Sequence, residues 1–208
     1  MNPGLLPDSP PPTAARQPHY WQRFVRKVDD PNPHGRIPDG ADLAALRRGA
    51  DRPPGSVPAM WRLYTELRED GKLSDRLRAE HHTLVLFAIH QQSQITSMNW
   101  PGHSFGKSIR ALLQRGRFSE NALEDRFAAT ALTDSVDQLA VHVRGLVQLL
   151  RTEAIGLDYE SVFRDLRDWQ HPVQRHVVRR RWGSGFYGPG SPSTHPDQQS
   201  AQIEGVPQ

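Results

Sequence analysis

Apolar residues in the second half of the chain recur with the period of an α-helix. Between residues 134 and 151 they follow the i, i+3, i+4 spacing that places side chains on one helical face. The members of this stripe are Val136, Leu139, Ala140, Val143, Leu146, Val147 and Leu150. Asp134 is placed to cap the start of the helix, and Gly156 lies beyond its end. The pattern therefore predicts a helix over residues 134–151.

Two further helices are predicted after this one. Asp158 is a suitable cap for a helix whose apolar face consists of Tyr159, Val162, Phe163, Leu166 and Trp169. Pro172 suits the first turn of the last helix, because its missing N–H would have no intrahelical partner there. The apolar side chains of this last helix are Val173, Val177, Val178, Trp182 and Phe186.

The first half of the chain has shorter and less regular helical patterns. Short helices are predicted over residues 19–28 and 40–48. Another covers residues 105–115 and ends at Gly116, and Ser119 can cap the one that follows. These segments carry no Asn-Gly hairpin and no alternating run bounded by turns, so signals for β-strands are almost absent.

Two serines mark helix starts between these segments. Ser56, followed by Pro58, begins a helix predicted to reach about Asp70. Ser74 begins a longer one whose centre, TLVLFAI, is apolar on all sides and therefore expected to be buried. Periodicity alone also allows a strand for that run, but its length and the flanking helix formers favour a helix. The sequence predicts an all-α bundle of about eight helices.

Segments rich in Pro, Ser and Gly flank the helical part. Residues 1–18 and 188–208 have the composition of disordered tails, which leaves one folded domain over residues 19–187. Hydrophobic residues make up 36% of the 208 residues, enough for a core. The formal net charge is +3 and the pI about 9.6, so the placement of basic residues matters more than their total.

The absence of cysteine excludes disulfides, thiolate catalysis and cysteine-based zinc sites, and it fits a reducing cytoplasm. The N-terminus lacks the basic start and apolar run of a secretory signal. The longest apolar run, residues 84–89, is far short of the roughly 20 residues that span a membrane. We therefore expect a cytoplasmic protein that makes no membrane contact.

The segment Gly102-His103-Ser104-Phe105-Gly106 matches G-x-S-x-G, the nucleophile elbow of α/β-hydrolases. That chemistry requires a strand, a strained turn and a helix. The preceding residues, Ser-Met-Asn-Trp-Pro, are not typical of a buried strand. The simpler interpretation is a Gly-rich loop before the helix at residues 105–115.

No other catalytic or cofactor motif stands out. His81, His82 and His90 share one predicted helix, but neighbours point about 100° apart and His90 lies about two turns from His82. They are therefore expected to be surface or hydrogen-bonded core residues rather than metal ligands. Residues 49–56 contain two glycines but lack the G-K-[ST] ending of a P-loop. The sequence indicates no cofactor, no metal and no enzymatic activity.

Basic residues in clusters are the remaining candidates for function. Helix-borne arginines can follow a phosphate backbone, because guanidinium pairs with phosphate at two points. The candidate nucleic-acid contacts are Arg47, Arg48, Lys107, Arg110, Arg126 and Arg144. A crowded group in the last helix comprises Arg175, Arg179, Arg180 and Arg181. An alternative stays open for both sets, since arginines also stabilise helix C-termini and pair with the 23 acidic residues.

Several segments, taken together and in order, resemble the CasB family, the small subunit of the type I-E CRISPR complex Cascade. The resemblance runs through about residues 41–187. Its segments are AALRRG at 44–49, GKSIR at 106–110, EDRF at 124–127, the long helix at 139–150, LDY at 157–159 with DLRDW at 165–169, and RRW at 180–182 with FY at 186–187. Each segment is short, and their shared order makes the resemblance specific.

The resemblance implies a non-catalytic helical protein, present as two copies beside other Cascade subunits and the guide crRNA. It implies that the six basic residues contact crRNA or target DNA and help to hold the displaced strand open. A few protein contacts to backbone phosphates are enough to favour R-loop formation, because the duplex of guide RNA and target DNA is about as stable as the DNA duplex that it replaces. The resemblance leaves open that Arg126 serves an internal ion pair and that the Arg179–Arg181 cluster faces a partner subunit.

Two alternative functions are weighed against this one. A free-standing DNA-binding regulator requires a recognition helix, and the one short helix–Gly–helix pairing places Glu120 and Asn121 at its start. Glu120 would repel phosphate there. A hydrolase would depend on Ser104.

Overall fold

The computed structural model describes residues 17–26 and 36–188 of the chain. Within these residues the only β-type pairings are two isolated bridges, both at Asn99. The α-helices, in chain order, are α1 (Gly40–Arg47), α2 (Asp75–His90), α3 (Phe105–Gln114), α4 (Glu120–Leu132), α5 (Val136–Thr152), α6 (Tyr159–Trp169) and α7 (Pro172–Tyr187). Two short 3-10 helices, Tyr20–Phe24 and Pro58–Leu63, precede α1 and α2. The predicted all-α bundle is confirmed.

The predicted disordered tails, except residues 17, 18 and 188, fall outside the described residues. The helix predicted over residues 19–28 is a 3-10 helix that ends at Phe24, and Val25 is extended. Residues 27 and 28 also lie outside the described residues.

Helix α5 lies at the centre of the bundle. All seven residues of the apolar stripe predicted for it are buried, and α5 packs against α2, α3, α4 and α6. The predicted cap is wrong. Ser135 caps the helix, because its side chain accepts a hydrogen bond from the Asp137 amide at 3.3 Å. Asp134 instead accepts from Arg175 at 2.8 Å, so its carboxylate ties α7 to the start of α5.

Helix α2 is the second central element. Ser74 caps it through a 3.1 Å hydrogen bond from the Leu77 amide, as predicted. The run TLVLFAI is helical and fully buried, because α1, α5 and α6 pack around it. A charged side chain, Glu80, is also completely buried on this helix.

The helix predicted from Ser56 to Asp70 is wrong in extent. Only Pro58–Leu63 is helical, and Tyr64 is already extended. The cause is Glu80, whose carboxylate accepts hydrogen bonds from the backbone amides of Thr65 at 2.7 Å and Glu66 at 2.9 Å. Amides that donate to a side chain on another helix cannot continue a helix of their own.

The C-terminal helices begin as predicted. Asp158 caps α6 by accepting from the Ser161 amide at 2.9 Å, and Pro172 occupies the first turn of α7. The apolar side chains of α7 do not all lie on one face. Its buried side chains are Val178, Trp182 and Phe186, whereas Val173 and Val177 are exposed. The two exposed valines lie on a stripe rotated by about 100° from the buried one.

Asn99 joins the N-terminal segment to the rest of the bundle. Its carbonyl accepts from the Arg26 amide at 2.9 Å, and its side chain donates to the Trp21 carbonyl at 3.0 Å. The side-chain oxygen accepts from the Tyr159 amide at 3.1 Å. The loop before α3 therefore holds both the first 3-10 helix and the start of α6.

Helices α3 and α7 cross at close range because glycines lie at the contact. A Cβ on Gly106 would overlap the Trp182 carbonyl, and a Cβ on Gly185 would lie 3.1 Å from the Lys107 amide. Only a residue without a side chain allows two backbones to approach this closely. The crossing fixes which residues of α3 face solvent.

Gly106→Ala is expected to lower the free energy of unfolding by about 1–3 kcal/mol, because the added methyl group forces the two helices apart. Gly145 in α5 provides a matched control, since a Cβ there meets nothing within 4 Å. Gly145→Ala should stabilise the protein by about 0.5–1 kcal/mol. Urea unfolding measures both changes, and a Gly106→Ala protein as stable as the wild type would contradict the close crossing.

Candidate nucleic-acid interface

Two of the six predicted residues lie at the C-terminal end of α1. Arg47 is half-buried in the last turn, and Arg48 is exposed at the cap. Their charges suit this position, because a helix C-terminus carries partial negative charge. Within residues 17–26 and 36–188, neither has an acidic partner. Both guanidinium groups therefore keep donors available for a ligand.

Arg144 projects from the middle of α5 onto the turn that follows α1. Its Nη1 donates to the Ala50 carbonyl at 3.5 Å and lies 3.1 Å from the Asp51 carboxylate. Asp51 is highly exposed, so this ion pair contributes at most about 1 kcal/mol. The structure thus brings three predicted residues to one turn. We call Arg47, Arg48 and Arg144 the α1–α5 patch.

Lys107 and Arg110 lie one turn apart on α3 and form the α3 patch. Lys107 is exposed, since the crossing with α7 occupies the neighbouring Gly106 instead. No acidic side chain in the described part of the chain pairs with Lys107. Arg110 is half-buried and donates to the Gly188 carbonyl at 3.3 Å, which satisfies the C-terminal end of α7. Arg110 therefore stabilises the fold in addition to being a predicted contact for nucleic acid.

Arg126 is exposed on α4. The alternative that it serves an internal ion pair is not observed, because among the described residues no carboxylate lies within ion-pair distance of it. No hydrogen bond or ion pair between described residues links Arg126, the α3 patch and the α1–α5 patch. The six predicted residues are distributed over four helices, α1, α3, α4 and α5.

The arginines of α7 mostly serve the fold. Arg175 and Arg179 both contact Asp134, at 2.8 and 3.5 Å. Arg181 pairs with Asp165, whose second oxygen accepts from the Trp182 indole at 2.6 Å. Burial raises the pKa of Asp165 above its ordinary value, and these two donors oppose that rise. In this cluster only Arg180 is exposed without an acidic partner among the described residues.

The G-x-S-x-G segment has a structural explanation. Gly102 has a φ of 80°, the left-handed region that favours glycine, and Gly106 makes the close crossing with α7. Ser104 occupies the N-cap position of α3, and its side chain makes no capping hydrogen bond. Within the described residues, the segment before it forms only isolated bridges instead of the strand that a nucleophile elbow requires.

The helix–Gly–helix segment predicted around Gly116 is present in the structure. Gly116 has a φ of 65°, and Ser119 caps α4 by accepting from the Ala122 amide at 3.5 Å. Glu120 and Asn121 are exposed at the start of α4, as the sequence predicts. An acidic residue at this point opposes insertion of α4 into a DNA groove.

The histidines of α2 are held by hydrogen bonds. His81 accepts from the Tyr64 hydroxyl at 2.6 Å and donates to the Gly49 carbonyl at 3.1 Å, while His82 contacts Asp137 at 2.8 Å. Burial lowers the pKa of His81 to about 4 and that of His90 to about 3. In residues 17–26 and 36–188, no group of three or more acidic or histidine side chains is arranged to hold a metal ion.

One further contact has no signal in the sequence. The guanidinium of Arg26 lies over the indole of Trp100, 4.3 Å from the ring centroid. Proteins that bind single strands use both aromatic rings and arginines to contact bases. The two residues are far apart in the sequence and belong to no shared motif, so no local signal could have found the pair.

Comparison with protein families gives a match over most of the chain. The family model described as CRISPR-associated protein Cse2 matches residues 42–187, which is more than half of the sequence. The chain belongs to the Cse2 family. The resemblance to CasB proteins found in the sequence is thereby confirmed.

Solved structures of CasB proteins have the same fold. CasB from Thermobifida fusca is 31% identical, with a TM-score of 0.59 over 71% of this chain and 84% of that one. CasB from M. ruber is 26% identical, with a TM-score of 0.58 over 73% and 86%. A chain in the structure entitled CRISPR RNA-guided surveillance complex is 22% identical, with a TM-score of 0.59 over 73% and 84%. This last likeness concerns the fold alone.

A comparison with curated proteins finds no match. The described helices include none that has both the length and the apolar character needed to cross a membrane.

Stability should depend on pH through the buried histidines. An unfolded histidine binds a proton below pH about 6.5, whereas folded His81 does so only below about 4. Between these values the unfolded state binds more protons, so stability falls as the pH is lowered. The slope is up to about 1.4 kcal/mol per pH unit for each such histidine. Above pH 6.5 this contribution is constant.

The change His81→Gln should make the dependence of the unfolding free energy on pH less steep between pH 4 and 6.5. His176 is exposed on α7, and His176→Gln is the matched control that should leave the slope unchanged. Urea unfolding at a series of pH values measures both. Equal slopes for His81→Gln and wild type would contradict a buried, neutral His81.

Proposed function

We propose that this chain is a non-catalytic small subunit of a type I-E CRISPR surveillance complex, Cascade, in antiviral defence. The observation that carries the proposal is the match to the Cse2 family over residues 42–187. The shared fold of a chain in an RNA-guided surveillance complex supports it. Its partners are the other Cascade subunits, a second copy of itself, crRNA, the target strand and the displaced strand, and the complex acts in the cytoplasm.

The exposed cations give this subunit a physical role. The duplex of guide RNA and target DNA is about as stable as the DNA duplex that it replaces. Contacts of the protein to the sugar-phosphate backbone can therefore shift the equilibrium towards the opened DNA. Arg48, Lys107 and Arg126 are exposed and have no acidic partner among the described residues, so binding phosphate would break no ion pair. The half-buried Arg47, Arg110 and Arg144 complete the proposed contacts. These cations stabilise the displaced strand of the R-loop.

The proposed domain is wider than the family match. Residues 19–187 form the CasB-like domain, of which the match covers residues 42–187, and residues 1–18 and 188–208 are tails. The surroundings of Ser104 support a subunit without enzymatic activity, because its flanking glycines serve a turn and a helix crossing.

Lys107→Ala should weaken single-stranded DNA binding by the reconstituted complex. Each phosphate contact contributes a slope of about −0.7 to log K against log salt, so losing one contact makes the slope less steep by about 0.7. The double change Arg47→Ala/Arg48→Ala should remove up to twice that amount. A salt titration of the binding constant, followed by fluorescence anisotropy, measures each change.

Arg68→Ala is the charge-matched control, because Arg68 is also exposed but pairs with Asp70 at 3.1 Å. It removes one positive charge and should leave the slope unchanged. If all three variants bind with the wild-type slope, the basic residues do not contact nucleic acid. If complexes form equally well and open target DNA equally well without this chain, the proposed function is wrong.

A further inference from the structure

A cleft of about 310 Å³ lies between the loop before α3 and the C-terminal half of that helix. Its volume is at the lower end of the range of about 300–1,000 Å³ found for small-molecule sites. Its walls are Trp100, His103, Ala111, Gln114, Arg115 and Ile155. None of the six basic residues proposed to contact nucleic acid lines it.

The indole of Trp100 is held in a fixed orientation on one wall. Its Nε1 donates to the Ser97 carbonyl at 2.8 Å, and the backbone of Gly156 packs against the ring so closely that a Cβ there would overlap it. The His103 ring meets the indole edge-on, with centroids 5.2 Å apart. A half-exposed aromatic ring that is already ordered costs little further entropy when a ligand packs against it.

Positive charge surrounds this wall. Arg26 stacks its guanidinium over the indole at 4.3 Å, and Arg115 is exposed in the lining itself. Within the described residues Arg115 has no acidic partner. Lys107 lies close enough to His103 that, after burial, it is the main cause of a lowered pKa of that histidine.

One carboxylate also lies near His103. Asp158 acts on the pKa of His103 in the opposite direction to Lys107. Its oxygens already accept from the amides of Ser161 and Gly102, both at 2.9 Å. Among the described residues Asp158 forms no ion pair with Arg26, Lys107 or Arg115, so these cations can bind an external anion.

We propose that this cleft binds one nucleotide of a single-stranded nucleic acid. The base enters beside Trp100, against the apolar surface of Ala111 and Ile155. Arg26, whose guanidinium covers a face of the indole, adds positive charge next to the base. The amide of Gln114 offers a donor and an acceptor to the base edge. Arg115 binds the adjoining phosphate. This proposal depends on the proposed function, because that function supplies the single strand that the cleft would bind.

The full-length chain should bind oligothymidylate more tightly than an abasic oligomer of the same length. Packing of the base against the aromatic and apolar walls predicts a difference of about fivefold or more in the dissociation constant. Gln114→Glu places a negative charge at the mouth of the cleft and should abolish this difference. Gln138→Glu is the matched control, because Gln138 is also exposed on a helix but lies on α5, outside the cleft lining. Deoxy- and ribo-oligomers run in parallel distinguish DNA from RNA as the ligand.

Tryptophan emission gives an independent readout. Oligothymidylate should quench part of the emission of the wild type, and this quenching should be lost in Trp100→Phe. Trp61 is exposed on the second 3-10 helix and does not line the cleft, so Trp61→Phe should retain the quenching. Circular dichroism and urea unfolding establish that each variant is folded.

Equal binding of base-bearing and abasic oligomers by the wild type would overturn the cleft assignment. So would quenching that survives in Trp100→Phe, or no binding of either oligomer by the chain. The proposed function is decided separately, because Lys107→Ala would still weaken strand binding by the assembled complex if only the cleft assignment failed.

Discussion

A carboxylate removed entirely from solvent organises the first part of the chain around α2. Glu80 accepts hydrogen bonds from the Thr65 amide and hydroxyl, both at 2.7 Å, and from the Glu66 amide at 2.9 Å, and it lies 3.1 Å from His19. A buried charge is costly unless donors satisfy it. Here the donors come from two segments that have little regular structure of their own. The hydrogen bonds to Glu80 fix the positions of both segments. The first 3-10 helix therefore packs against α6, and the chain is oriented where it enters α2.

The fold could be predicted wherever a helix is determined by its own residues. The stripe of α5 and the caps Ser74 and Asp158 involve partners only a few positions away, and all three predictions are confirmed. The errors arise where a distant residue binds a local group. Glu80 removes two amides from the helix predicted to reach Asp70, and arginines of α7 take the carboxylate of Asp134. Sequence periodicity contains no information about such long-range contacts.

The same limit applies to the basic residues. The sequence identifies which cations exist, but whether each is free depends on acids and carbonyls elsewhere in the chain. Arg180 and Arg181 are both exposed, yet Arg181 pairs with a buried aspartate and Arg180 has no acidic partner among the described residues. Arg110 is partly engaged by the end of α7, which no spacing rule indicates. Which of the basic residues the fold engages therefore becomes evident only from the packing of the helices.

The glycine contact between α3 and α7 has a mechanical consequence. Two helices whose backbones touch have no intervening layer of side chains that could slide, so they resist relative motion. Trp182 of α7 also stacks on Trp169 of α6, with ring centroids 5.1 Å apart. A displacement of α3 would therefore have to move α7 and, through the two stacked indoles, α6 as well.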